Sequence, residues 1–198
     1  MILLHDRQYI FHIPEFLNSE EIDLIHKHVE NFPSTEGSIS KAQQTTHVQP
    51  NYESNKEVRD STVKWIGFDQ EIKWFWIKLL DVINGVNHDF FHFDIGSCGE
   101  VQYGTYPSPG GKYKAHMDTI DYSYPQRKIS FSIQLTDENE YEGGDLLIYK
   151  NNIHEPYKAS RKKGSMTIFF SMFLHEVTPV TSGTRQSLVS WVMGPPLK

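Results

Sequence analysis

The chain has 198 residues, enough for one domain with a buried core and too few for several. Hydrophobic residues at 38% and aromatics at 13% exclude a disordered chain. Asp and Glu outnumber Lys and Arg by 25 to 19, a net charge of -6, which argues against a nucleic-acid binder despite the basic run Arg161-Lys162-Lys163.

One cysteine, Cys98, allows no intrachain disulfide, suits a reducing cytosol and is expected to be a small buried residue. The first residues, Met1 to Asp6, hold too short an apolar run for a signal sequence. The longest apolar stretch, 166–174, is interrupted by Thr167 and Ser171 and falls short of the roughly 20 residues of a membrane span. A cytoplasmic protein without a membrane span is expected.

Along the chain, 16–21 is a helix start. Asn18 or Ser19 can cap free N–H groups, and Glu20 and Glu21 suit the positive helix end. Ile22, Ile25 and Val29 recur at helical spacing, and Pro33 stops the helix. His26 and His28, two apart, share no face and are expected at the surface. Residues 34–56 are rich in Ser, Thr, Gln and Asn without any period, which fits either a surface loop or a flap over a site.

Residues 59–65 predict a strand, with Val63 and Trp65 alternating. Residues 68–84 predict the clearest helix, with Ile72, Phe75, Trp76, Leu79, Leu80 and Ile83 as one apolar stripe and Gly85 as its stop. Alternation of Phe91, Phe93 and Ile95 then predicts a strand, followed by another at 101–106 and a turn at 107–111. A strand at 128–135 puts Ser130, Ser132 and Gln134 on one face. A polar turn at 137–144 and strands at 146–149, 165–170, 174–177 and 186–193 complete the pattern. Many short strands with Gly/Pro turns predict a mainly β fold of sandwich or jelly-roll type. No repeat or linker divides it, so 1–198 is expected to be one domain: a helical support region 1–90 with the 34–56 flap, and a jelly-roll core 91–198.

Ten histidines offer many pairings. An O₂-activating iron site needs two histidines and one carboxylate on one face of an octahedron, leaving positions open. His-x-Asp supplies two such ligands, because residues i and i+2 of an extended segment point the same way. Two sets exist. His92 and Asp94 can pair with His154 and borrow Arg161; His116 and Asp118 can pair with His175 and borrow Arg185. Spacing hardly separates them, but context favours the second: His154 lies in the turn-like 151–156, whereas His175 follows a strong strand. If the turn at 179–183 centres near Val180, His175 and Arg185 face each other on neighbouring antiparallel strands. An arginine there can fork onto the far carboxylate of a dicarboxylate that chelates iron through its other end. Ser187 can add a hydrogen bond to that carboxylate, and Tyr113 either touches substrate at the mouth or packs under the turn.

These pieces, in order, resemble the prolyl 4-hydroxylase branch of Fe(II)/2-oxoglutarate dioxygenases over roughly half the chain, 101–195. Tyr106-Pro107 with Gly110-Gly111 and then His116-Met117-Asp118 resemble its tyrosine, glycine turn and His-x-Asp. Residues 127–135 with Gly143-Gly144 resemble its strand and Gly-Gly turn; 163–177 resembles the strand bearing the distal histidine; 183–188 with Trp191 resembles the cosubstrate strand. The resemblance implies a double-stranded β-helix (jelly roll) with N-terminal helices packed outside. It implies Fe(II) on His116, Asp118 and His175, and 2-oxoglutarate meeting Arg185. Tyr106 would line the cosubstrate pocket and Trp191 would wall it. Gln134 stands where some members place a second tyrosine, and a glutamine can still donate to the carboxylate. Asp118 fills the position that related halogenases leave small, which implies hydroxylation.

The expected reaction consumes O₂ and 2-oxoglutarate, releases succinate and CO₂, and hydroxylates peptidyl proline; ascorbate often assists the family. The rivals are the same chemistry on a free amino acid or small metabolite, a zinc hydrolase on the same three ligands, and a non-catalytic jelly-roll binding module. Arg185 opposes the hydrolase, which has no need of it.

Overall fold

A computed structural model describes residues 4–7, 9–41, 51–119, 125–150 and 152–196. The chain enters through strands β1 (Leu4–Arg7) and β2 (Ile10–Ile13) and then forms helix α1 (Ser19–Val29). Asn18 begins α1 with a capping box: its Oδ1 accepts from Glu21 N, and Glu21 Oε2 accepts from Asn18 N, both at 2.8 Å. Strands β3 (Thr35–Glu36), β4 (Ser38–Lys41), β5 (Asn51–Ser54), β6 (Arg59–Asp60) and β7 (Thr62–Ile66) follow. Helix α2 (Lys73–Val86) runs on into a π-helical turn, Asn87–Phe91. Then come β8 (Ser97–Cys98), β9 (Val101–Pro107), β10 (Lys112–His116), β11 (Gln126–Gln134), β12 (Tyr141–Gly143) and β13 (Leu146–Tyr149). The last are β14 (Tyr157–Lys158), β15 (Met166–Phe170), β16 (Leu174–Val177) and β17 (Val180–Gly194).

Two large antiparallel sheets result, with β4 and β5 paired separately. The larger runs β1-β2-β15-β11-β17-β9-β7-β3, with β8 and β12 added along β17; the smaller runs β14-β13-β16-β10-β6. Strands from the first 90 residues therefore complete both sheets. The alternation of β11 explains the layering. Ile129, Phe131 and Ile133 point to one side and pack with Ile22, Ile25, Phe75 and Leu79 of the helices. Each fully buried side chain of this kind stabilises the fold by roughly 1.5–3 kcal/mol. On the other side a second cluster joins Tyr106 and Phe169 of the large sheet to Leu146, Ile148 and Val177 of the small one. The protein is thus a jelly roll with its helices outside. Among the described residues no helix is long and apolar enough to cross a membrane.

Several expectations need correction. Residues 91–95 are not a strand. Phe91 ends the π-helical turn and packs edge-on against Phe11 at 5.2 Å, while Phe93 stacks on Phe91 at 5.3 Å, so these rings serve one core and do not alternate. Helix α2 starts at Lys73 and passes through Gly85, where an added Cβ would meet nothing within 4 Å. An open, solvent-side glycine costs only its propensity. Leu80 is 40% exposed, and Val82 and Val86 join the buried face instead. His28 is not a surface residue: its side chain is 6% exposed, with Nδ1 3.2 Å from Glu71, and His26 Nδ1 lies 2.9 Å from the Tyr103 hydroxyl. Within the expected polar turn 137–144, Tyr141–Gly143 pairs with β17 as β12. Of the expected flap, 38–41 and 51–54 form the hairpin β4–β5, and 42–50 lie outside the described residues.

The expected turn at 179–183 is also displaced. Residues 180–194 form one strand, β17, whose start pairs with β12 and whose remainder lies between β9 and β11. His175 and Arg185 are consequently not cross-strand neighbours. They stand on different sheets, His175 on β16 and Arg185 on β17.

Candidate active site

The site grows from the small sheet. On β10 and β16 the antiparallel register sets His116 opposite His175, with ring centroids 4.2 Å apart. Each Nδ1 lies against a backbone carbonyl, Lys114 O at 2.8 Å and Phe173 O at 2.9 Å. A carbonyl only accepts, so both Nδ1 atoms donate, which leaves Nε2 as the atom of each ring that can turn to a metal. Those Nε2 atoms converge on Asp118: His116 Nε2 is 3.7 Å from Oδ1 and His175 Nε2 is 3.4 Å from Oδ2.

Asp118 is held from the large sheet. Ser130 Oγ donates to Oδ2 at 2.6 Å, Ser171 Oγ lies 2.8 Å from Ser130 Oγ, and Asp118 N donates to Ser171 O at 3.0 Å. Burial raises the Asp118 carboxyl, but His175, His116, the Ser130 hydroxyl and Arg127 outweigh it and hold the group below its ordinary value. Burial pushes the His116 imidazole down to about 3, with His175 acting in the same direction, so the ring is neutral at ordinary pH. Neutral imidazoles and an ionised carboxylate are the forms that bind a divalent metal. The three ligand atoms lie within 4.8 Å of one another and can hold a metal ion. Two nitrogens and one oxygen from one side fit Fe(II), with further positions open. His92, Asp94 and His154 form no such cluster among the described residues.

A small cavity lies against the inner face of the large sheet, lined among others by Ser132, Gln134, Thr167 and Arg185. Ser130 and Gln134 share that face of β11, about 14 Å apart at roughly 3.4 Å per residue. The face thus leads from Asp118 to the cavity. Arg185 is 3% exposed and donates from Nη1 to Ser187 Oγ at 3.1 Å; among the described residues no carboxylate pairs with it. Its strand partner is Tyr106, whose ring lies 5.3 Å below the guanidinium. Gln134 uses its amide on Thr136 O and the Tyr141 hydroxyl, both at 3.1 Å. Tyr141 of β12 lines the same cavity as Gln134.

At the other end, Tyr113 stacks on His116 with centroids 3.6 Å apart, and the Arg59 guanidinium lies 4.6 Å from the Tyr113 ring. Arg59 donates to Ser61 Oγ and Gln102 Oε1 at 3.0 Å and to Ser38 O at 3.2 Å, which ties this column to the β4–β5 hairpin. Trp191 carries the Arg127 guanidinium 3.6 Å from its ring. Arg59, Arg127, Ser130, Ser171 and Tyr141 were not singled out as site residues from the sequence. Only Ser130 had a usable signal, its shared face with Gln134.

Residues 101–193 match the family model described as the 2OG-Fe(II) oxygenase superfamily. A PKHD-type hydroxylase of Synechococcus sp. (strain CC9311) is 42% identical over 82 residues, which are 41% of this chain and 36% of that protein. A PKHD-type hydroxylase of Prochlorococcus marinus (strain MIT 9301) is 29% identical over 93% of this chain and 77% of its own length. The chain thus spans little more than a third of the first relative. A Pseudomonas putida prolyl-4-hydroxylase superposes with a TM-score of 0.72 at 16% identity, covering 96% of this chain and 95% of its own. A prolyl hydroxylase from Trichoplax adhaerens, in complex with a hypoxia inducible factor oxygen degradation domain peptide fragment, gives 0.73 at 19%, covering 96% and 85%. At such identities the superpositions establish the fold.

Fold, ligand set and sequence match agree: residues 101–193, a little under half of the chain, resemble the 2OG-Fe(II) oxygenase superfamily. The relatives matched are PKHD-type hydroxylases, and the structures that superpose are prolyl hydroxylases.

Proposed function

We propose that this chain is an Fe(II)- and 2-oxoglutarate-dependent dioxygenase that hydroxylates peptidyl proline and releases succinate and CO₂. The observation that carries the cosubstrate reading is Arg185, a buried guanidinium without a carboxylate partner among the described residues, beside a cavity that the sheet face links to Asp118. An uncompensated buried cation is costly, so this position calls for an anion. A zinc hydrolase has no use for it.

His116, Asp118 and His175 would hold the iron, and Ser130 with Ser171 would keep the carboxylate turned toward it. When bound, Fe(II) supplies the O₂ activation that couples decarboxylation of the keto acid to hydroxylation of a C–H bond. Arg185 would take the far carboxylate, with Ser187 fixing the guanidinium and Tyr106 closing the wall beside it. Charge supports this: Fe(II) with Asp118, a dianionic cosubstrate and Arg185 sum to near neutrality. Tyr113 and Trp191, with Arg59 and Arg127 against them, would form the substrate side. Peptidyl proline is supported by the prolyl hydroxylases among the structural neighbours and by the peptide in the Trichoplax structure. A cytosolic enzyme is consistent with the lone Cys98.

The test is anaerobic. Fe(II) followed by 2-oxoglutarate is expected to produce a visible charge-transfer band that disappears in His175→Ala and weakens by roughly tenfold or more in affinity in Arg185→Ala. Under air, succinate release should then rise with proline peptides and not with free proline. A folded protein that shows no band and prefers zinc contradicts the oxygenase reading; stimulation by free amino acids alone moves the substrate to small molecules.

A further inference from the structure

We propose that Arg59 is a positioning residue for the metal ligand His116, and that it links the root of the β4–β5 hairpin to the metal centre. This rests on the ligand set of the reading above, and not on the identity of cosubstrate or substrate.

The column begins with an irregularity in β10. Residues three apart on a regular strand point to opposite sides, so Tyr113 and His116 should not meet. Here Tyr113 stands opposite Val177 and His116 opposite His175, three steps on β10 against two on β16. One extra residue of this kind re-aims the side chains beside it. The Tyr113 ring is thereby laid on the His116 imidazole, with centroids 3.6 Å apart and planes within 20°. Lys114 O holds Nδ1 of the imidazole, and the Tyr113 ring holds the plane in which Nε2 is carried.

Tyr113 is held in turn by Arg59, its cross-strand partner on β6, whose guanidinium lies 4.6 Å from the ring centre. Arg59 is 6% exposed, and among the described residues no carboxylate pairs with it. Its donors reach neutral acceptors in three separate segments. Nε donates to Ser61 Oγ, Nη2 to Gln102 Oε1 on β9 and Nη1 to Ser38 O on β4. A buried cation without a counter-ion is costly, so charge neutralisation does not explain the residue. What the planar fork supplies is a fixed position set from three directions.

Gly37 carries the column into the hairpin root. It lies between β3 and β4 and donates from N to Ser61 O at 2.8 Å. A Cβ on Gly37 would overlap Ser61 Oγ and stand 2.6 Å from Arg59 Nε. The backbone there thus rests directly on the arginine. A shift of that backbone passes to Arg59, then to Tyr113, then to His116.

The experiment reads the metal and not turnover. Fe(II) affinity is measured anaerobically against a competing chelator. Co(II) is used as a second probe, because its visible d–d bands report ligand geometry, and each metal-free variant is melted. Arg59→Met is expected to weaken Fe(II) by roughly tenfold and to shift the Co(II) bands. Arg59→Lys should recover little of this, since one ammonium does not span three acceptors. Tyr113→Leu should lose as Arg59→Met does, and the double variant no more than the larger single loss. Gly37→Ala, which alters neither ring, should move both readouts in the same sense. Unchanged Fe(II) affinity and Co(II) bands in Arg59→Met overturn the proposal even if the melting temperature falls, because that marks a purely structural role. Additive losses in the double variant overturn it as well, and an unaffected Gly37→Ala overturns the hairpin link. If Arg59→Met does not fold, Arg59→Lys and Gly37→Ala decide by the same two readouts. A wild type that binds metal but gives no keto-acid band contradicts the oxygenase reading alone, and the variants still decide the role of Arg59. A wild type that binds neither metal overturns both.

Discussion

The two faces of β11 are built from alternate residues of one strand and do opposite work. Ile129, Phe131 and Ile133 face the helices in an apolar core, whereas Ser130, Ser132 and Gln134 face the small sheet and carry hydroxyl and amide groups toward Asp118 and the cavity. The same contrast holds on β17, with Leu188 and Val192 on the helix side and Arg185 and Ser187 on the other. The difference teaches that stability and chemistry are separated across one sheet thickness. One face gains free energy by excluding water. The other keeps buried polar groups that are satisfied by one another or by a ligand.

Breaking the chemical face outright is the largest expected effect. Asp118→Ala should abolish Fe(II) binding and the keto-acid band in an anaerobic titration, yet cost the metal-free protein less stability than any large truncation on the helix side. Next, Phe131→Ala should destabilise the fold by about 3–5 kcal/mol in urea unfolding and leave Fe(II) affinity unchanged in the folded fraction. A loss of metal affinity in that variant would mean that the two faces are coupled. Smallest is Ser130→Ala, which strips the hydroxyl from Asp118 Oδ2. It should weaken Fe(II) by roughly tenfold and stability by only about 1 kcal/mol. Unchanged iron affinity there would remove the Ser130–Ser171 pair from the site.

Much of the site was legible because its signals are local. His-x-Asp lies within three residues, and the distal histidine sits on a strand whose pattern is clear. The inner-face set Ser130, Ser132, Gln134 follows from period two alone. The misreadings share a cause, in that tertiary packing overrode local pattern. Phe91 and Phe93 look like strand residues, yet they stack on each other past the end of α2 and pack on Phe11 of β2 and Phe170 of β15. Residues 180–183 look like a turn, yet β12 pairs with them and draws them into β17. Arg161 stood out only as part of a basic run and as partner to a set that does not assemble. Nothing local links it to the Tyr141 ring, which its guanidinium approaches to 4.2 Å.

By itself the sequence determined the class of fold, the three candidate ligands and the arginine, because hydrophobic period and short motifs depend on neighbours along the chain. Only the tertiary structure decided that Arg185 faces a cavity from the opposite sheet to His175, that Ser130 and Ser171 grip Asp118, that Arg59 props Tyr113 on His116, and that Arg161 joins Tyr141 at the cavity. Those contacts depend on strand register and sheet closure between segments distant in sequence, and side-chain patterning does not encode them one residue at a time.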